Sequence, residues 1–455
     1  MRNRSILTFL KIIILLSPIP FGCVGSIFAP LFYMIILLFS LIALRRVEDR
    51  SPFLYEKKVR LLFYAFVGFL VLQLIPLPFF LLKILSPTTA HSLGQFKEQV
   101  PGFHPISMVP FETLVFTCKF LVFALFFRVL IDIKFEKKEI FSIGKTLVFA
   151  AALQSIFGLL KYLQGNRFFF LFFYEIDKTG KFLTGTFGNP GHFAFYLEMI
   201  LPLALAFFFF KLRFFEGGKS LRAKFLSALE ENKSTAAYFL ITILLGCGII
   251  LSGSRAGIMT MIFSFMIFGQ FSFYLKRSRA VRKKLKLFFI IIAAAAIFLG
   301  VQNTVDKFLS TKIENSGRFL RWPTTFDMVR DFPLFGSGFG TYRYAYFLYD
   351  IDEGGKWSTH AHSDYLEAAA EGGIIGSLLL LSLLAVLVYS IVKMWMSRKH
   401  PEVKIMGIGI ITGIFAAALH SIFDFSLHIP ANALAFTLIL VIGIKLTTYK
   451  REFNE

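Results

Sequence analysis

A short stretch in the last quarter of the chain combines residue types suited to acid–base catalysis. Thr359 to Glu367 reads THAHSDYLE and leads into an apolar run from about Gly372. Histidine titrates near neutral pH, so His362 could act as a general base, and a helix-capping histidine is the alternative. The His-x-His-x-Asp pattern resembles the start of a dinuclear zinc signature. No further histidine follows locally, so we expect no metal here.

Three arginines could bind an anionic group. Arg255 interrupts two apolar runs in LSGSRAG, and Arg318 and Arg321 lie in GRFLRW. A guanidinium can donate two parallel hydrogen bonds to a phosphate, and an arginine at a membrane boundary is a functional candidate. Snorkelling to lipid headgroups is the alternative for the first arginine, and surface salt bridges for the other two. The later GSGFG could cradle a phosphate, although such a pattern is more often a flexible corner.

Two further polar motifs stand at the ends of apolar runs. In TFGNPGH a turn leads into a helix whose free N–H groups could face an anion, which makes Asn189 and His192 candidate substrate-binding residues. An ordinary N-capping turn is the alternative. In HSIFDF, His420 and Asp424 are one helical turn apart. They could orient the helix end as a local pair, or they could support the catalytic group from behind.

Membrane helices must position these motifs, because the chain is too apolar to be soluble. Of its 455 residues 56% are hydrophobic and 17% are charged, and the mean hydropathy is +0.68. Apolar runs of about 20 residues predict an all-α polytopic membrane protein with about 12 transmembrane helices, in which residues 1–455 form one integral membrane domain. The runs are a retained first span after Arg4, Ile27 to Leu44, and segments near 61–83, 111–131, 140–163, 192–210, 236–252, 256–274, 287–303, 372–394, 404–422 and 431–447.

The distribution of charge predicts the orientation of these spans. The net charge is +21, and its basic residues cluster in every second loop, as the positive-inside rule requires, so no nucleic-acid partner is needed to explain them. Both termini are then cytoplasmic. The segment 304–361 lies on the other side, and its balanced charge and many aromatic residues predict a long, partly helical periplasmic loop. Three widely spaced cysteines predict neither a disulfide framework nor a zinc site.

Five motifs, in this order, resemble the O-antigen ligase and Wzy-type polymerase superfamily of bacterial envelope glycosyltransferases. They lie within residues 185–434 and read GTFGNPGHFAFYLEMILPL, LSGSRAG, GRFLRWPTTFDMVRDFPLFGSGFGTY, AHSDYLEAAAEGGIIG and HSIFDFSLHIPANAL. The resemblance covers most of the chain from about residue 150 and includes the polytopic layout. The family typically has Asn in place of Ser363, a departure that leaves the preceding histidine aligned.

The resemblance implies an enzyme of the bacterial cytoplasmic (inner) membrane that works on the periplasmic side without cofactor or metal. It would move a glycan from undecaprenyl pyrophosphate to an acceptor hydroxyl, as in lipopolysaccharide biosynthesis. Arg255 matches the family's membrane-boundary arginine, Arg318 the arginine of the long loop, and His362 the histidine at its end. Arg321 is the alternative second arginine. These residue types fit the reaction, because a pyrophosphate leaving group needs cations and a hydroxyl needs a base.

The sequence leaves the acceptor open. A lipid A core sugar (ligase), another carrier-linked glycan (polymerase) and a protein Ser or Thr (O-oligosaccharyltransferase) all suit the same chemistry, and we favour the ligase. A different class is a lipid-linked glycan transporter or flippase. Transporters, however, place ionisable groups near the bilayer midplane, whereas the candidate residues here gather at one face.

Overall fold

The computed structural model describes residues 4–47, 56–94, 102–164, 181–211, 233–272, 278–299, 301–310, 317–349 and 358–448. Its helices are α1 (Arg4–Leu16), α2 (Phe28–Leu44), α3 (Lys57–Leu74), α4 (Phe79–Leu85), α5 (Pro87–Gly94), α6 (Pro110–Asp132), α7 (Lys137–Leu163), α8 (Pro190–Lys211), α9 (Lys233–Leu251), α10 (Arg255–Phe271), α11 (Ser278–Phe298), α12 (Gln302–Ser310), α13 (Gly317–Asp331), α14 (Tyr342–Tyr346), α15 (Asp364–Ser397), α16 (Pro401–His420) and α17 (Pro430–Thr448). Short 3-10 helices lie at Phe21–Cys23 and Ser426–His428. Strands β1 (Leu77–Pro78) and β2 (Phe103–His104) pair antiparallel.

The apolar runs form helices suited to a membrane. Within the described ranges, 7 helices are long and apolar enough to cross a bilayer, namely α6, α7, α8, α9, α15, α16 and α17. Helices α2 and α10 are apolar but shorter. Helix α1 has 13 residues, fewer than the roughly 20 that a span needs. The all-α polytopic architecture is therefore confirmed, whereas the predicted count of about 12 spans is not.

The predicted span near 61–83 is not one helix. Helix α3 ends at Leu74, and the next residue, Ile75, is extended with φ −70° and ψ 123°. Pro76 follows Ile75, and Pro78 lies two residues further on. A proline disfavours the helical conformation of the residue before it and has no N–H to donate, so the chain leaves the helix here and enters β1.

Helix α8 lies at the centre of the bundle. Every residue from Gly191 to Phe209 is buried, and the helix packs against α7, α9, α10, α16 and α17. Two glycines of α16 permit a close approach. A Cβ built on Gly413 would lie 2.4 Å from the carbonyl oxygen of Met199, and one on Gly409 would lie 2.6 Å from that of Pro202. Small residues of this kind let membrane helices approach closely, which seals α8 from lipid.

The two ends of the bundle differ chemically. At the end where α15 and α17 terminate, Lys445 Nζ donates to the carbonyl of Ile131 at 2.6 Å. At the same end, Arg398 Nη2 donates to the carbonyl of Thr447 at 2.6 Å. The starts of α8, α15 and α17 lie at the opposite end, which carries a cluster of histidines and carboxylates. The first end is rich in lysine and arginine, some of them paired with carboxylates, as Lys137 is with Glu402, whereas the other end carries the histidine cluster.

Candidate functional site

The turn before α15 presents His362 in a strained conformation. Its φ is 51°, a left-handed value that costs an L-residue about 1–2 kcal/mol. The next residue, Ser363, is the N-cap of α15, and its Oγ accepts from the N–H of Leu366 at 3.4 Å. Serine and asparagine are both favoured N-caps, so the departure from the family pattern preserves the helix start. Strained residues of this kind cluster at functional sites, which fits the role predicted for His362.

Glu367 holds the chain immediately before His362. This carboxylate is buried one turn into α15. Its Oε1 lies 2.8 Å from Nδ1 of His360, and its Oε2 accepts from the N–H of Ala361 at 2.9 Å. Both oxygens therefore have partners in the two residues that precede His362. The carboxylate fixes the path of the turn, and with it the direction in which the imidazole of His362 leaves the backbone.

Asp424 lies behind His362. Its Oδ1 is 3.5 Å from Nδ1 of His362, and the side chain of Asp424 is 1% exposed against 24% for His362. The N–H of Phe425 donates to the same oxygen at 3.0 Å. The other oxygen, Oδ2, lies 3.8 Å from Nε2 of His420. A carboxylate facing Nδ1 orients the ring so that Nε2 of His362 points away from Asp424, towards the less buried side.

The ring of Phe425 organises the histidines around it. Its centroid lies 4.0 Å from that of His360, in a stacked arrangement, 4.9 Å from His192 and 5.0 Å from His362. The predicted substrate-binding residue His192 therefore lies in the same cluster as the predicted base. Its neighbour Asn189 serves as a cap, because Asn189 Oδ1 accepts from the N–H of Gly191 at 2.8 Å.

Arg255 begins α10 at the same end of the bundle. Its guanidinium Nη2 donates to the carbonyl of Lys307 at 2.7 Å. A Cβ built on Gly257 would lie 2.7 Å from the Cβ of Ala194, so the starts of α10 and α8 touch. Since His192 also belongs to the start of α8, Arg255 and the histidine cluster share one end of the bundle rather than opposite membrane faces.

The second arginine motif lies on α13. Arg321 is partly buried, and the ring of Trp322 stacks on that of Phe423 with centroids 6.4 Å apart. Phe423 precedes Asp424, so this part of α13 lies against the turn that supports His362. Arg318 belongs to the same helix, but its side chain lies outside the described residues. The choice between the two arginines stays a prediction.

The glycine-rich segment after α13 is an anchor rather than an open phosphate cradle. The N–H of Ser337 donates to the carbonyl of Ala370, and that of Gly338 to the carbonyl of Glu371, each at 2.9 Å. Helix α15 breaks nearby at Gly373, where φ is 58°. A break in a helix leaves carbonyls without intrahelical partners, and the segment supplies donors to them. It thereby ties the predicted long loop to α15.

Three groups beside His362 could hold a metal ion. One ligand atom each from His360, Glu367 and His428 lies within 4.8 Å of the others. The local sequence did not reveal this grouping, because His428 comes from the turn before α17. Burial lowers the pKa of His428, and the charge of Glu367 offsets part of this effect. We assign the group to hydrogen bonding, because both oxygens of Glu367 accept from the 360–361 segment. The expected absence of a metal stays a prediction.

Sequence reasoning misses Glu198. This residue lies within α8 and is 0% exposed, and its Oε1 is 2.8 Å from Nδ1 of His420. The available signal was a single carboxylate inside an apolar span, since charge at membrane depth is costly unless it is compensated. His420 itself was predicted as a supporting residue, but only the packing of α16 on α8 reveals its carboxylate partner.

Residues 240–381 match a family model described as O-antigen ligase. The match confirms the family predicted from the five motifs. It begins within α9, includes the described helices from α10 to α14 and ends within α15, and so includes Arg255, Arg318, Arg321 and His362. Helix α8 and the turn that carries Asp424 lie outside it. No curated protein matches the chain at a significant level.

Proposed function

We propose that this member of the O-antigen ligase and Wzy-type polymerase superfamily moves a glycan from undecaprenyl pyrophosphate to an acceptor hydroxyl. The observation that carries the proposal is the placement of His362. It is the most exposed member of the group formed with Asp424 and His420, and it lies 3.5 Å from the buried Asp424 carboxylate. A hydroxyl is a poor nucleophile, and a histidine oriented by a carboxylate is a suitable base for it.

In this mechanism, Nε2 of His362 accepts the proton of the acceptor hydroxyl. The oxygen attacks the anomeric carbon of the donor sugar as the bond from that carbon to the pyrophosphate oxygen breaks. The bonding electron pair leaves with undecaprenyl pyrophosphate, and direct attack inverts the anomeric configuration. Asp424 stabilises the imidazolium until His362 returns its proton to solvent.

The arginines balance the charge of the leaving group. We propose that Arg255, together with Arg318 or Arg321, binds the pyrophosphate, whose charge grows as the sugar bond breaks. Cationic side chains at the bundle mouth make this possible without a metal ion. Asn189 and His192 would complete the donor site at the start of α8. The oxygen of Asn189 is committed to the cap, so its amide N–H groups are the part that would face the donor.

We propose that the site faces the periplasm from the inner membrane and that both termini are cytoplasmic. The excess of lysine and arginine at the end where α15 and α17 terminate supports this orientation through the positive-inside rule. The test uses single cysteines at the exposed positions Asp327 on α13 and Lys399 after α15, in a chain without native cysteines. In intact cells an impermeant thiol reagent should label the first and not the second. Labelling of Lys399→Cys alone would reverse the orientation.

The direct test uses purified protein with a carrier-linked glycan and an acceptor. We expect His362→Ala to lower transfer by about 100-fold or more, since a general base contributes at least that much. Arg255→Ala should also lower transfer. The exposed residues His91 on α5 and Arg330 on α13 provide the matched controls, and their alanine variants should retain the rate. Unchanged transfer by His362→Ala would refute the mechanism.

The product decides among the remaining alternatives. A mass spectrum shows whether a lipid A core sugar, a glycan or a protein received the transferred unit. Movement of the carrier across a vesicle membrane with no new glycosidic bond would instead indicate a transporter or flippase.

A further inference from the structure

A carboxylate within the central helix, Glu198, takes no direct part in the proposed transfer. Glu198 and His420 are both 0% exposed, and Oε1 of Glu198 lies 2.8 Å from Nδ1 of His420. An ionised carboxylate without water is costly unless a partner compensates its charge. The histidine supplies that partner, and the pair links α8 to the end of α16.

The pair continues to the predicted base. Nε2 of His420 lies 3.8 Å from Oδ2 of Asp424, and Oδ1 of Asp424 lies 3.5 Å from Nδ1 of His362. Carboxylates and imidazoles thus alternate from Glu198 inside the bundle to His362 at its mouth. Three of the four side chains are at most 1% exposed, and only His362 is in reach of solvent or substrate.

This alternation restricts where protons can reside. At 3.8 Å the contact between Nε2 of His420 and Asp424 is electrostatic, beyond hydrogen-bond distance. A carboxylate near each nitrogen favours the doubly protonated ring, because the neutral ring has only one N–H. Glu198 therefore favours a proton on His420. The resulting imidazolium offsets part of the charge of Asp424, which is the carboxylate that faces His362.

We propose that Glu198 is a positioning residue that sets, through His420, how strongly Asp424 retains a proton on His362. The inference rests on the proposed function. Asp424 must be negative enough to stabilise the imidazolium that forms during transfer. It must not hold that proton so tightly that His362 fails to return to its neutral form. The pair of Glu198 and His420 offsets part of the negative charge of Asp424, so that His362 can both accept a proton and release it.

Other titratable groups face the same chain. His192 on α8 and Asp364 at the start of α15 interact electrostatically with Asp424, and His192 also interacts with His360, His362 and His420. All of them are unchanged in the variants below. A difference between those variants therefore reports on the Glu198 to His362 chain itself.

The test measures kcat/KM for glycan transfer against pH in Glu198→Gln and Asp424→Asn. Gln keeps an oxygen that accepts from His420 but removes the negative charge that favours a second proton on His420. Without that imidazolium, the full charge of Asp424 acts on His362 and retains its proton more strongly. We expect the acid-side midpoint of activity to move to higher pH by about 0.5 unit or more in Glu198→Gln. It should move to lower pH in Asp424→Asn. The exposed Asp327→Asn on α13 is the control and should leave the midpoint in place.

The opposite signs distinguish the proposal from simpler effects. Loss of a negative charge alone would move both midpoints to lower pH, and a purely structural pair would move neither in a folded variant. Either result for Glu198→Gln overturns the inference. If Glu198→Gln loses its thermal unfolding transition in detergent, His420→Gln replaces it and must also move the midpoint upward. Loss of folding in both variants would assign the pair a structural role only.

Failure of the inference and failure of the proposed function give different results. If His362→Ala loses transfer strongly but the pH midpoint of Glu198→Gln stays in place, the proposed function stands and the proposed role of Glu198 is refuted. Transfer that survives His362→Ala removes the function itself.

Discussion

Replacement of Glu367 tests whether the turn before α15 must be held for activity. Glu367→Ala removes the acceptors of two contacts, the 2.8 Å contact to Nδ1 of His360 and the 2.9 Å hydrogen bond from the N–H of Ala361. The change touches neither His362 nor Asp424 directly. Glu367 also lies 3.6 Å from Nε2 of His428, so an effect on transfer acts through the turn and its histidines and not through a lost contact to His362.

The structure gives an approximate magnitude. Leaving a buried donor unsatisfied costs about 1–3 kcal/mol. The left-handed φ of 51° at His362 already costs about 1–2 kcal/mol, so a loss of this size is enough to let the turn relax to another conformation. Since about 1.4 kcal/mol is tenfold in a population, the competent fraction should fall by about 10- to 100-fold.

The assay separates kcat from KM for glycan transfer. The arginines that would bind the donor lie on other helices, so we expect Glu367→Ala to lower kcat by about 10- to 100-fold while KM changes little. Glu367→Gln keeps an oxygen for the N–H of Ala361 and should lose less than tenfold. Asp327→Asn, in an exposed ion pair with Arg330, is the control. A folded Glu367→Ala variant with a kcat within about twofold of the wild type would refute the reasoning.

Three further results are expected. Ser363→Asn should keep the thermal stability of the protein in detergent, while Ser363→Ala should lose about 1 kcal/mol of it because the N-cap of α15 is removed; equal melting temperatures would contradict the capping role. Arg255→Lys should lower kcat/KM about tenfold or more, since an ammonium cannot replace a bidentate guanidinium, whereas the exposed Arg330→Lys should have no effect; a fully active Arg255→Lys would argue against a pyrophosphate clamp. Chelation of divalent cations should leave the rate unchanged, and a loss that zinc restores would contradict the metal-independent mechanism.

Much of the candidate site could be predicted because its residues lie in short linear motifs. His362, Arg255 and the pair of His420 and Asp424 interrupt or end apolar runs, where polar side chains are unexpected. The use of Ser337 and Gly338 as an anchor could not be predicted, since it depends on carbonyls that a break in another helix releases. The end of α3 at Leu74 could have been predicted from Pro76 and Pro78, but an average of hydropathy over 61–83 does not register them.

The sequence by itself predicted a polytopic membrane protein and a resemblance to the O-antigen ligase superfamily, which the family match supports, because hydropathy and motifs are local properties. Tertiary structure alone decided which charges meet. Glu198 and His420 are 222 positions apart in the sequence. His360 and His428 are separated in the sequence by α15 and α16, yet their ring centroids lie 5.1 Å apart. Whether two such side chains touch depends on the rotation and depth of each helix. Those are set by the packing of all its neighbours, and spacing along one helix does not specify them.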